Sequence, residues 1–168
     1  MQALIRQCRA AGDSVGGTVE CAVTGLPLGL GAPDLDRNAE TVFARHLFAV
    51  PAVKGLEFGS GFALAEMRGS QANDPWRRGP EGPVTETNHN GGILGGITTG
   101  MPVVFRVAFK PTPSIALPQR TVSMVTGEDA DLTIQGRHDP CVVHRAVPVV
   151  EAAAALAAAE LIAGRQEG

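Results

Sequence analysis

The sequence predicts an α+β fold, mostly antiparallel sheet with packed helices, in one domain over residues 1–168. Two segments alternate apolar and polar residues as half-buried strands do, at 18–24 and 101–109. Three others repeat apolar residues at helical spacing, and the two patterns interleave irregularly instead of in strand–helix–strand units. Hydrophobic residues make up 44% of the chain, enough for a core.

Taken in order, Leu4, Ile5, Cys8 and Ala11 form a helical stripe that Gly16 and Gly17 end. Residues 18–24 read as a strand with one face buried, and residues 25–33 as a Gly/Pro/Leu loop. Asp34 is the expected N-cap of a helix whose stripe is Leu35, Ala39, Val42, Phe43, His46, Leu47 and Val50, with His46 packed in the core. Residues 53–68 read as two strands, or one bent strand, broken at Gly59-Ser-Gly61. A polar Gly/Pro/Asn-rich stretch without periodicity follows at 69–92, longer than structureless loops in compact domains usually run. Val103, Phe105, Val107 and Phe109 then share one face of a strand, and residues 120–125 form another. The last helix is expected to start near Pro148, with Glu151 in its first turn and Gly164 at its end.

Composition excludes several classes. Fourteen basic against 17 acidic residues leave a formal charge of -3, unlike a nucleic-acid footprint or a polybasic membrane anchor. The most apolar stretch, 147–163, is interrupted by Pro148, Glu151 and Glu160, and a membrane span needs about 20 apolar residues. Three cysteines without a CxxC pair do not suggest a disulfide scaffold, and the opening residues lack a signal-peptide core. A cytoplasmic protein is expected, with neither nucleic acid nor membrane as partner. Glycine, at 21 of 168 residues, points to backbone approaching backbone or ligand at several loops.

Three loops carry candidate chemistry. Asn88-His-Asn-Gly-Gly-Ile-Leu-Gly-Gly-Ile97 could bring backbone amides to a planar or anionic ligand, or could pack on its own sheet. Lys110-Pro-Thr-Pro-Ser114 sets a cation and two hydroxyls on a stiff turn, suited to an anion or to a plain strand exit. In Gly136-Arg-His-Asp-Pro-Cys141, Arg137 and Asp139 could be an oxyanion-binding guanidinium and a base, or a mutual ion pair closing a turn. The spacing His138-x-x-Cys141-x-x-His144 invites a zinc reading, but zinc usually takes four ligands and no second cluster lies nearby, so no metal is expected.

Together these loops resemble chorismate synthase. The family's terminal signature stands here as Arg137-His-Asp-Pro-Cys-Val-Val-His-Arg-Ala-Val-Pro-Val-Val-Glu151. Six further segments follow family order: Gly12-Asp-Ser-Val-Gly-Gly17, Gly29-Leu-Gly-Ala-Pro33, Pro51-Ala-Val-Lys-Gly55, Arg68-Gly-Ser70, Thr87-Asn-His-Asn-Gly-Gly92 and Lys110-Pro-Thr112. The resemblance runs from residue 1 to about residue 163. It implies half of a β-α-β sandwich, normally assembled as a homotetramer. It also implies conversion of 5-enolpyruvylshikimate 3-phosphate to chorismate and phosphate, a 1,4-anti elimination that requires reduced FMN. Carried over by position, the flavin contacts fall on Pro51, Ala52, Gly95, Lys110, Pro111, Thr112, Pro113, Ser114 and Arg137. Asp139 matches the family carboxylate that helps move the substrate proton, with Arg137 beside it in the catalytic set.

Family chains are much longer, and Met1 corresponds to their middle. The part they carry in addition holds two catalytic histidines and several substrate-gripping arginines. Three arrangements therefore stand open: the C-terminal part of an ordinary enzyme, one of two separate subunits, or a non-catalytic flavin-binding or assembly module. In each, apolar surface at 147–163 and 101–109 is expected to seek a partner, either a second copy or the family's N-terminal half.

Overall fold

A computed structural model describes residues 1–80 and 82–165. Its centre is a three-stranded antiparallel sheet of β1 (Gly17–Val23), β7 (Val103–Phe109) and β2 (Val53–Phe58), in the order β1-β7-β2. The alternation in β7 is realised in full: Val103, Phe105, Val107 and Phe109 are buried, while Val104, Arg106 and Ala108 are half-buried on the other face. Gly17 and Val53 both pair with Phe109. The starts of β1 and β2 and the end of β7 therefore lie together at one end of the sheet.

Helices α2 (Ala39–Phe48) and α4 (Val143–Gly164) pack on each other and cover the buried face. Phe43, Phe58 and Phe105 meet there with ring centroids 5.7 to 6.4 Å apart. From α4 come Ala153, Ala154, Ala157 and Ala158, all buried. Their small side chains let the helix lie close to its neighbours. By length and composition α4 would also suit a membrane span, at 22 residues and mean hydropathy 1.8, but here that stripe faces α2 and β1.

Several elements depart from the sequence reading. Helix α1 (Gln2–Ala10) buries nothing fully and stops before Gly12, whose φ is +70°. Asp34 does not cap α2. Its carboxylate is taken by Arg37, through the backbone N–H at 2.7 Å and Nε at 2.8 Å, and Asn38 caps the helix by accepting from Thr41 N–H. Leu35 consequently lies outside the helix and is exposed. His46 is not a core residue: its Nε2 lies 2.7 Å from Glu160 Oε2, and Arg45 pairs with the same carboxylate, tying α2 to α4. Those two hydrogen bonds hold the Glu160 carboxyl below its ordinary value.

After β2 comes a 3-10 helix, Gly61–Glu66, instead of a second strand. Glu57 Oε2 accepts from Phe62 N–H at 3.0 Å, and Gly59 and Gly61 both have positive φ, so the chain turns away from the sheet. The described residues of 69–92 are structured too. They hold the short α3 (Gly69–Ala72) and a hairpin of β3 (Trp76–Arg78) and β4 (Pro83–Thr85). A second hairpin, β5 (Ile93–Leu94) and β6 (Ile97–Thr98), turns through Gly95 and Gly96, both at positive φ as a tight two-residue turn demands. The strand expected at 120–125 is β8 (Gln119–Val122). It pairs with β9 (Asp129–Leu132), which the sequence did not signal. Helix α4 starts at Val143, so Pro148 sits inside it and Glu151 beyond its first turn.

Candidate active site

The end of the sheet where β1 and β2 begin and β7 ends gathers most of the candidate residues. Pro51 and Ala52 form the turn from α2 into β2, and Ala52 O accepts from Lys110 N–H at 2.9 Å. Ala52 is the one non-glycine residue with positive φ among the described residues, at +70°. That conformation is costly for an L-residue and is typically retained where the surroundings dictate it. The pairing of β2 with β7 slips at Lys54, between Val53 and Gly55, a bulge beside the same turn.

Residues 110–114 run from β7 across the 12–17 segment. Ser14 Oγ donates to Thr112 O at 2.6 Å, and Val15 N–H donates to Pro140 O at 2.9 Å. That strip joins the Lys110 loop to the Arg137–Asp139 loop although 27 positions separate Lys110 from Arg137 in the chain. Thr112 Oγ1 is buried without a hydrogen-bond partner among the described residues. Such a group forfeits about 1–3 kcal/mol unless a ligand or another chain supplies one.

Arg137 and Asp139 do not pair. Asp139 Oδ2 accepts from Arg145 Nη1 at 2.9 Å, and Oδ1 accepts from Cys141 N–H at 3.2 Å. Arg137 makes no ion pair among the described residues, and neither does Lys110. Arg9, Arg137, His138, Asp139, His144 and Arg145 line a cavity of about 650 Å3. Three guanidinium groups face one carboxylate there, so the cavity suits an anion. Arg145 also lines a smaller cavity of about 290 Å3 beside Pro51 and Phe109, and thus stands between the Arg137 loop and the Pro51 turn.

Gly95 stands apart. It lies exposed on the β5–β6 turn, and the adjacent Gly96 O accepts from Ala39 N–H at the start of α2. The Pro51 turn follows the other end of α2, roughly 15 Å away by helix rise. Within one chain Gly95 and the other carried-over positions therefore do not converge. The zinc spacing also disperses: His138 Nε2 bonds Ile134 O at 2.9 Å, Cys141 is fully buried and His144 is exposed. Among the described residues no group of three His, Cys, Asp or Glu could hold a metal.

The residue that organises the Asn88–Gly92 stretch went unsignalled in the sequence. Asp74, only 9% exposed, accepts from Thr87 Oγ1 and His89 N–H at 2.7 Å, and from Asn90 N–H and Nδ2 at 2.9 and 2.8 Å. Burial opposes its charge, but these four donors outweigh burial and hold the carboxyl below its ordinary value. Its signal was slight: one carboxylate near a run of Thr, Asn and His donors. His89 Nδ1 in turn meets Ser60 Oγ at 3.0 Å. Gly59 and Gly91 bring the two backbones together so closely that a Cβ on Gly59 would stand 2.1 Å from His89 O.

Comparison with known proteins decides the family. The chorismate synthase family model matches residues 1–163. The chain belongs to the chorismate synthase family. Chorismate synthase of Thermococcus gammatolerans is 54% identical over 162 residues, covering 96% of this chain and 45% of that protein. Chorismate synthase of Korarchaeum cryptofilum is 50% identical over the whole of this chain and 46% of its own length. A crystal structure of a chorismate synthase superposes with TM-score 0.79 at 30% identity, over 98% of this chain and 42% of that one. The chain thus spans less than half the length of these chorismate synthase relatives.

Proposed function

We propose that this chain carries the flavin-side loops of a chorismate synthase, a lyase that converts 5-enolpyruvylshikimate 3-phosphate to chorismate and phosphate. The observation that carries the reading is the convergence of the Pro51 turn, the 110–114 loop and the Arg137–Asp139 loop at one end of the sheet. Lys110, Arg137 and the Thr112 hydroxyl stand on these loops without ion-pair or hydrogen-bond partners among the described residues. These donors fit FMN, which presents a phosphate and a ring edge rich in acceptors. Reduced FMN, once bound, supplies electron density to a ring that becomes electron-deficient as phosphate leaves.

The chain's own residues account for the remaining tasks on this side of the site. Arg137 and Lys110 bind anionic oxygens, by charge and by hydrogen bonds. Pro51, Ala52, Pro111, Thr112, Pro113 and Ser114 shape the wall, and Gly95 joins it only through another copy or another segment. Asp139, already paired with Arg145, is a carboxylate able to accept or relay the proton released at carbon. The relatives' other half supplies the rest of the site, in the cytoplasm and within a homo-oligomer.

Supplying the family's N-terminal half in trans, with reduced FMN and substrate, tests this reading. Chorismate formation should appear with the chain present. Asp139→Ala should lower it by about 10²–10⁴-fold, and Arg137→Ala should abolish detectable turnover. No turnover despite tight assembly of the two halves would sink the enzyme reading. FMN binding without turnover would instead make the chain a non-catalytic flavin-binding module.

A further inference from the structure

The two carboxylate oxygens of Asp139 are both occupied, Oδ2 by Arg145 and Oδ1 by Cys141 N–H. Arg137 stands only two residues from Asp139 and lines the same cavity, yet has no ion-pair partner among the described residues. Of the three guanidinium groups lining this cavity, Arg137 and Arg145 are the two close to Asp139 in the chain, and the loop's sequence alone favours neither. Helix α4 makes the choice. Its first turn, with Arg145 N–H donating to Val142 O at 3.0 Å, fixes Arg145 over the loop. Arg145 then claims Asp139 and leaves Arg137 facing the cavity.

We infer that Arg145 is a positioning residue that holds Asp139 away from Arg137 and so keeps Arg137 available to an anion. Without it, the guanidinium groups left in the cavity are those of Arg9 and Arg137; Arg137, two residues away on the same loop, then pairs with Asp139, and that ion pair removes the anion-binding guanidinium. This rests on the reading of Arg137 as an anion ligand, but the pairing switch can be observed without any ligand.

The test is a double-mutant cycle with two readouts. The first, on the purified chain, is the Arg137 side-chain Nε–H resonance by 15N NMR, without ligand. Arg145→Met should shift it, Arg145→Lys should shift it less, and in an Asp139→Asn background Arg145→Met should leave it in place. The second is FMN affinity by flavin fluorescence of the chain assembled with the family's N-terminal half, with riboflavin and inorganic phosphate titrated separately to tell ring from phosphate recognition.

Arg137→Ala should cost about tenfold or more in FMN affinity, as loss of a charge-assisted hydrogen bond does. Arg145→Met should cost less, up to about fivefold, because an exposed ion pair competes only that strongly. The Arg145 effect should vanish once Asp139 is Asn. An unmoved Arg137 resonance in Arg145→Met overturns the inference, whatever the affinities. A moved resonance with no FMN binding by the wild-type chain assembled with the family's N-terminal half leaves the switch standing and overturns the anion-ligand reading of Arg137.

Discussion

Asp74 carries its charge with no cation beside it among the described residues: its four donors are a hydroxyl, an amide side chain and two backbone N–H groups. A carboxylate suits those donors because it only accepts; an amide would turn two hydrogens towards them. Asp74→Asn should therefore destabilise the chain by about 1–3 kcal/mol at neutral pH. The pH dependence has a definite sign. The folded carboxyl lies below its ordinary value, so its contribution is complete above the unfolded pKa, about 3.9, and is lost as pH falls through the folded one. Urea midpoints measured from pH 7 to pH 3 should show the gap between wild type and Asp74→Asn narrowing at the acid end. A gap that stays constant would mean that the charge of Asp74 is not what holds the 88–92 stretch.

Among the elements, those built on a simple period were legible and those set by distant partners were not. The alternation at 103–109 could satisfy one geometry only, because a slip by one residue would expose Phe105 and Phe109. The start of α2 was not legible, since Asp34 and Asn38 are both good caps and the choice rests on Arg37 capturing Asp34. Likewise α4 begins earlier than Pro148 suggests because Val143 and Ala146 are buried, which extends the apolar stripe by more than a turn. The Arg145 partner of Asp139 follows from that earlier start, so the sequence left the pairing of Asp139 open. The alanines of α4 give a direct test of element packing. Ala157 has no exposed surface, and enlarging a side chain in such a position costs typically about 1–3 kcal/mol. Ala157→Leu should lower the thermal midpoint, whereas Ala152→Leu, on the exposed side of the same helix, should change it little. Equal effects would show that α4 is not held close to its neighbours.

At the scale of the whole molecule, the candidate site is an end of a sheet, and no local pattern could have placed it there. The Pro51 turn and the Lys110 loop adjoin because β1 and β2 both run antiparallel to β7; the residue patterns suggested antiparallel strands but not which strand pairs with which. The same architecture leaves surface to be covered. One expectation moves: the apolar side of β7 is inside this chain's own core, so it is no docking patch. The outward side of α4 remains, with Leu156 at 61% and Ile162 at 45% exposure. Elsewhere, Phe62 on the 3-10 helix and Met124 and Val125 at the β8–β9 tip are each more than 80% exposed. Large exposed apolar side chains on one helix face, in a chain matching less than half of its relatives' length, motivate a test for a partner. The isolated chain should therefore self-associate as its concentration rises in light scattering, and the family's N-terminal half should compete that association away. Leu156→Ser with Ile162→Ser should weaken association while shifting stability by no more than about 0.5 kcal/mol, as exposed substitutions generally do. A monomer at high concentration that also ignores the N-terminal half would show that this face takes neither a second copy nor that half as its partner.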